Sequence, residues 1–186
     1  MRGLSSEGCG GLILAGGQSS RMGRDKAMLD WRGQPLLLHM QALLQQAGCT
    51  PILISGDYPQ YSGIADQDPG MGPLGGLATL LPRMADGHWL LVPVDMPRLD
   101  PQLLTRLRQA PAAACVCFQD QVLPMRLQVD ASLRALLPQL MALPPRQRSL
   151  RALQHALSVQ MLPLPADAQA GLAACNTPAQ WRDMQP

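Results

Sequence analysis

The sequence predicts a single-domain α/β fold with a mostly parallel central sheet, and three observations carry that prediction. Apolar runs recur and each ends abruptly in polar or glycine-rich residues: Gly11-Leu12-Ile13-Leu14-Ala15 before Gly16-Gly17, Ile52-Leu53-Ile54 before Ser55-Gly56-Asp57, and Leu90-Leu91-Val92-Pro93-Val94 before Asp95. Between these runs lie stretches with apolar residues at helical spacing. The chain of 186 residues is long enough for one core, and no internal repeat or long linker divides it. Polar residues gathered where buried strands end are how an open α/β sheet presents a ligand site.

The first strand is expected over residues 10–15, followed by a loop over 16–24. The loop carries Gly16, Gly17, Ser19, Ser20, Arg21, Gly23 and Arg24, and it closes on Asp25-Lys26. Glycine lets main-chain N–H groups approach an anion, and Arg21, Arg24 and Lys26 add positive charge, so the stretch reads as a phosphate cradle. It is not a Walker loop, because Ala27 follows Lys26 where Ser or Thr is required, and it lacks the G-x-G-x-x-G of dinucleotide folds. The competing reading is an ordinary strand-to-helix turn with solvated arginines.

Arg32-Gly33 marks a turn. Pro35 suits a first helical turn, and a helix is expected over 36–47, ended by Gly48. Leu36, Leu37, Met40, Leu43 and Leu44 share one face of it, and His39 reads as a surface or packing residue. The second strand, 50–55, exits at Ser55. A glycine- and proline-rich loop with Asp66 and Asp68 follows, and Pro73 opens a helix over 74–84. The third strand ends on Asp95. A carboxylate there is costly if buried alone, and a divalent cation is its natural partner. Capping the helix expected over 101–109 is the alternative role, for which Asp100 is better placed. Strands at 112–118 and 122–129 flank a turn at Gln119-Asp120-Gln121. A helix over 131–143 contains Pro138, which is expected to kink or end it. Arg146, Arg148 and Arg151 open another helix, and an edge strand is expected at 158–162. Thr177 and Pro178 cap and begin a last helix, anchored by Trp181.

Leu14-Ala15-Gly16-Gly17, Ser19, Arg21-Met22-Gly23 and Asp25-Lys26 together resemble the signature of the nucleotidyltransferases, and within them most closely the molybdenum cofactor guanylyltransferases. The resemblance continues through Gly72-Pro73-Leu74 with Gly76, through Asp95-Met96-Pro97, and through Asn176-Thr177-Pro178. It implies a single-domain, three-layer α/β/α, Rossmann-like nucleotidyltransferase fold. Its nucleotide-binding half would span residues 10–110 and its acceptor-binding half 111–186, after a flexible tail over 1–9.

The resemblance further implies transfer of GMP from GTP to the terminal phosphate of molybdopterin, with release of pyrophosphate. It implies Mg2+ as cofactor, and a molybdoenzyme or its chaperone as recipient of the product. Leu14, Ala15, Gly16, Gly17, Lys26, Ser55, Asp66, Gly72 and Asp95 would hold the nucleotide. Arg21, Lys26 and Asp95 would be catalytic, and Asp95, alone or with Asp66, would hold the metal. Ser55 stands where the family usually carries asparagine, and its hydroxyl lacks the amide's two donors. The segment before Pro124 lacks the basic or imidazole group usual in the family. The candidates for the acceptor are Arg126, Arg148 and Asn176. Arg126 on a strand face and Arg148 in a charge run also read as solvated residues. Cytidylyl transfer to the same acceptor, another small nucleotidyltransferase, and non-catalytic binding of a nucleotide or pterin are the competing readings.

Composition narrows the remaining choices. A net charge of +2 and 3% aromatic residues disfavour nucleic acid and anionic membrane surfaces as partners. No apolar run is long enough to span a bilayer, and the first nine residues do not form a signal peptide. The five cysteines form no C-x-x-C and no zinc spacing, which implies free buried thiols in a reducing, cytoplasmic setting.

Overall fold

The structure is a computed structural model that describes residues 8–16, 25–68 and 70–185. Six strands form the central sheet: β1 (Cys9–Leu14), β4 (Cys49–Ser55), β5 (Gly87–Pro93), β6 (Cys115–Phe118), β7 (Met125–Val129) and β8 (Val159–Leu162). Their order is β4-β1-β5-β7-β6-β8. Only β7 runs against the rest, pairing antiparallel with β5 and β6, so the sheet is mostly parallel. A small hairpin, β2 (Asp30–Trp31) with β3 (Gln34–Pro35), stands apart from it.

Strand residues alternate faces, and each face is covered by helices. On one side Cys9, Ile13, Leu90, Val92, Val116 and Phe118 pack with α1 (Leu36–Gln46), α3 (Pro101–Gln109) and α6 (Pro178–Met184). On the other, Leu12, Leu14, Trp89, Leu91, Met125, Leu127 and Val129 pack with α2 (Gly72–Leu80), α4 (Ala131–Met141) and α5 (Leu150–Ala156). This is the three-layer architecture expected. Gly10 is obligatory within β1, because a Cβ there would lie 2.4 Å from the indole of Trp89. All five cysteines are free and buried. Among the described residues no helix is long and apolar enough to cross a membrane.

The caps account for most helix starts. Asp100, Asp130 and Ser149 each accept a hydrogen bond from a first-turn N–H of α3, α4 and α5. Thr177 and Gln180 form a reciprocal capping box on α6. Asp100, not Asp95, therefore caps α3.

Several boundaries differ from the sequence reading. The helix predicted from residue 74 begins at Gly72, whose φ of +65° suits a residue without a Cβ. The strands predicted from 112 and 122 begin at Cys115 and Met125. Pro138 does not end α4, which runs on to Met141 with Leu133, Leu137 and Leu140 held in the core. Arg146 and Arg148 precede α5 rather than open it. The predicted tail extended to residue 9, but β1 begins at Cys9 with its side chain buried; residues 1–7 lie outside the described residues.

One candidate site residue is corrected by the fold. Arg126 sits on β7 facing α3 and is 1% exposed. Its guanidinium donates to the carbonyls of Arg108, Ala110 and Pro111, which leave the C-terminal end of α3 without helical partners. It is a helix-end staple in the interior and cannot reach an acceptor substrate.

Candidate active site

The carboxyl ends of β1, β4 and β5 meet at one rim. Leu14 is in register with Ser55 on one side and with Pro93 on the other. Pairing continues one step past the strands: the Ala15 N–H donates to the Ser55 carbonyl at 2.9 Å, and the Val94 N–H donates to the Leu14 carbonyl at 3.1 Å. The chain at Ala15-Gly16 thus leaves the sheet between Ser55 and Asp95. The side chains of Leu14 and Ala15 are buried, so only main-chain groups of these two residues can meet a ligand.

Asp95 lies one residue beyond that pairing, with 19% of its side chain exposed. Its Oδ2 is 2.9 Å from Lys26 Nζ, which also donates to Asn176 Oδ1 at 2.8 Å. Asn176 is held by its own N–H, which donates to Gln180 Oε1 at 2.8 Å, and the Cys175 N–H donates to the Asp95 carbonyl at 2.8 Å. Residues from near the start, middle and end of the chain therefore share one hydrogen-bonded cluster. The Cys175 thiol beside it is pushed up to about 11, chiefly by burial and further by the Asp95 carboxylate, with Lys26 opposing. At neutral pH it is a protonated packing group, not a nucleophile.

A second cluster forms on the β4 side. After β4 the chain turns back so that Ile64 bridges Ser55 in parallel, with the Gly56 N–H donating to the Ile64 carbonyl at 2.8 Å. This carries Asp66 to the rim, where its Oδ1 accepts from Ser55 Oγ at 3.0 Å. The cluster has a glycine wall and a glycine floor. A Cβ at Gly16 would lie 3.0 Å from an Asp66 oxygen, and one at Gly76 would lie 2.2 Å from Ser55 Oγ. Asp68 is exposed and has no place in this cluster.

Lys26 is carried on a single 3-10 turn, Lys26–Met28, capped by Asp25 through a 3.0 Å bond from the Ala27 N–H. The same Asp25 oxygen accepts from Tyr58 Oη at 2.8 Å. Sequence reasoning assigned neither contact. The available signal was that Tyr58 lies three residues past Ser55, on the exit of a strand that ends at the rim.

The remaining expectations divide. Gly72 opens α2 at this end of the sheet. Arg148, half-buried, lies against Met71, just before α2. Asn176 contacts Lys26 directly. Gly17 and Arg21 lie outside the described residues.

A model of the MobA-like NTP transferase domain matches residues 11–161, most of the chain. The chain belongs to the MobA-like NTP transferase family. A relative from Xanthomonas euvesicatoria pv. vesicatoria, named molybdenum cofactor guanylyltransferase, is 52% identical over 172 residues, 92% of this chain and 91% of its own length. Among solved structures, a nucleotidyl transferase from Methanothermobacter superposes with a TM-score of 0.74 at 13% identity, covering 97% of both chains. The Rv0371c protein of Mycobacterium tuberculosis, in complex with manganese, superposes at 0.60 with 18% identity, covering 95% of this chain and 97% of that one. These two share the fold of this MobA-like chain. Asn176 falls beyond the matched span of the family model, yet the fold returns it to Lys26.

The donor set suits a hard divalent cation of the kind this enzyme class generally uses. Asp95 offers carboxylate oxygens at the rim, and the described residues contain no group of three or more His, Cys, Asp or Glu side chains that would enclose a metal. A cation at Asp95 would complete its coordination with substrate oxygens and water, which is the habit of Mg2+.

Proposed function

We propose that this MobA-like NTP transferase transfers GMP from GTP to the terminal phosphate of molybdopterin, forming molybdopterin guanine dinucleotide and pyrophosphate. The observation that carries the reading is the meeting of Lys26, Asp95 and Asn176 at the carboxyl rim, where the chain leaves β1 past Ala15. The acceptor and the base are supported by the 52%-identical relative and its name.

In this reading an oxygen of the acceptor phosphate attacks the α-phosphorus of GTP, and the bond to the β-phosphate breaks. The attacking oxygen is already anionic near neutral pH, so the chain needs no general base. Its work is placement and neutralisation of charge. Gly16 and Gly17 present N–H groups to the triphosphate, and Arg21 and Lys26 balance charge that builds on the α-phosphate and the departing pyrophosphate. Ser55 and Asp66 hold the nucleoside, aided by main-chain groups of Leu14 and Ala15 and by the turn at Gly72. Asp95 would hold Mg2+, which when bound supplies electrostatic stabilisation to the phosphate oxygens. Arg148 and Asn176 face the acceptor. Free thiols throughout suit action in the cytoplasm.

The test is pyrophosphate release with each of the four nucleoside triphosphates, molybdopterin and Mg2+. GTP should be turned over and the other three should not. Preference for CTP would replace the guanylyl reading with the cytidylyl one, and nucleotide binding without turnover would leave a binding module.

A further inference from the structure

We infer that Tyr58 is a positioning residue for Lys26, acting through Asp25. The inference rests on the catalytic role proposed for Lys26.

Tyr58 belongs to the loop after β4, and that loop holds it from every side. Its N–H donates to the Gly56 carbonyl at 2.9 Å, and its own carbonyl accepts from the N–H groups of Tyr61 and Gly63, each at 2.9 Å. The ring lies over Gly56, where a Cβ would come within 2.6 Å of it, and the residue is 9% exposed. With backbone and ring fixed, the hydroxyl has a set position. It reaches Asp25 Oδ1 at 2.8 Å and lies 3.5 Å from the Ala15 carbonyl. One side chain from the loop after β4 thus touches Ala15 at the β1 exit and the residue before Lys26.

The Asp25 oxygen that receives the phenol also accepts the Ala27 N–H. That bond caps the three-residue turn carrying Lys26, and so short a turn has little stability of its own. Without the phenol, Asp25 is an exposed carboxylate free to rotate, and the cap loosens. The donor is available at any working pH: burial, and then the Asp25 bond itself, push the Tyr58 phenol well above its ordinary value. Lys26 must place one ammonium against developing phosphate charge, and small displacements of such groups are expensive in rate.

The experiment compares Tyr58→Phe, Asp25→Asn, Asp25→Ala and the Tyr58→Phe/Asp25→Ala double variant. Each is measured for pyrophosphate release from MgGTP with molybdopterin, for hydrogen exchange over residues 26–29, and for thermal unfolding. Tyr58→Phe keeps the ring, so Tm should stay within about 2 °C of the parent. Its kcat should fall about tenfold, the scale of losing one hydrogen bond to a charged group, while KM for GTP moves much less. Exchange over 26–29 should quicken. Asp25→Asn still offers an acceptor oxygen and should retain most of kcat, whereas Asp25→Ala should not. In the Asp25→Ala background, Tyr58→Phe should add little further loss, since the two act as one unit.

An unchanged kcat and unchanged exchange in Tyr58→Phe overturn the inference. So does a full, additive loss in the double variant. If the parent chain releases no pyrophosphate, the functional reading falls instead, and exchange over 26–29 still decides whether Tyr58 holds the turn. If Tyr58→Phe fails to fold while Asp25→Ala folds, Tyr58 is a structural residue of its own loop and the inference falls.

Discussion

At the scale of single residues, the rim works by contrast between charged groups and the bare backbone beside them. Lys26 and Asp95 neutralise one another at 2.9 Å, while the Asn176 amide holds the ammonium and the Cys175 N–H anchors the Asp95 main chain. Replacing either with alanine should lower the rate of pyrophosphate release by about a hundredfold or more, the scale of removing one preorganised electrostatic group. A rate near that of the parent in either variant would contradict the role assigned to it. Gly76 tests the opposite kind of residue. Alanine in place of glycine inside a helix ordinarily stabilises by about 1 kcal/mol. Here the new methyl would stand 2.2 Å from Ser55 Oγ. Overlap should outweigh propensity, so Gly76→Ala should destabilise by about 1–3 kcal/mol and weaken nucleotide binding. Adding Ser55→Ala, which removes the obstructing oxygen, should recover part of the stability. Urea unfolding and nucleotide titration read both effects.

At the scale of elements, β7 and α3 show how a residue's neighbours decide its meaning. Arg126 is an acceptor candidate because it adjoins a segment that lacks the basic group usual in the family, and on a strand face it otherwise reads as solvated. The strand is interior, however, with sheet partners on both sides and α3 over the face that Arg126 occupies. Buried cations survive where carbonyl groups replace lost water, and the frayed end of α3 supplies three. Arg126→Met should therefore destabilise by about 2–4 kcal/mol, because it strands buried carbonyls, while KM for the acceptor in the remaining folded protein stays unchanged. Other elements were legible because burial writes its own pattern. Three apolar runs ending in polar residues marked β1, β4 and β5, and the chemistry at their tips followed. The interior strand β7, by contrast, is distinguished from an edge only by pairings over distance. Tyr58 was missed for a related reason: nothing local tells a tyrosine that its hydroxyl will meet residue 25.

At the scale of the whole molecule, one sheet rim collects contributions from segments far apart in sequence, so conditions acting on distant packing reach the site. His39 on α1 bonds the Pro97 carbonyl at 2.8 Å, two residues from Asp95. Burial, assisted by Arg32, holds its imidazole below the ordinary value of 6.5, although the Pro97 bond opposes the shift. The unfolded chain therefore takes up a proton at His39 before the folded chain does. Stability is fully present above that ordinary value and declines as pH falls through the lower, folded one. Thermal unfolding between about pH 7.5 and about pH 5 should show the decline, and His39→Gln should remove His39's share of it. The bonds from Cys175 and Asn176 to Asp95 and Lys26 have a consequence in time as well as space. The last sheet strand is complete at Leu162, but Asn176 is made fourteen residues later. A ribosome that has finished the sheet has yet to deliver Leu172, Cys175 and Trp181 of the core, along with the amide that steadies the lysine. The newborn protein would thus acquire its last core packing and its competence together, and a message cut short after the sheet would yield a molecule lacking both.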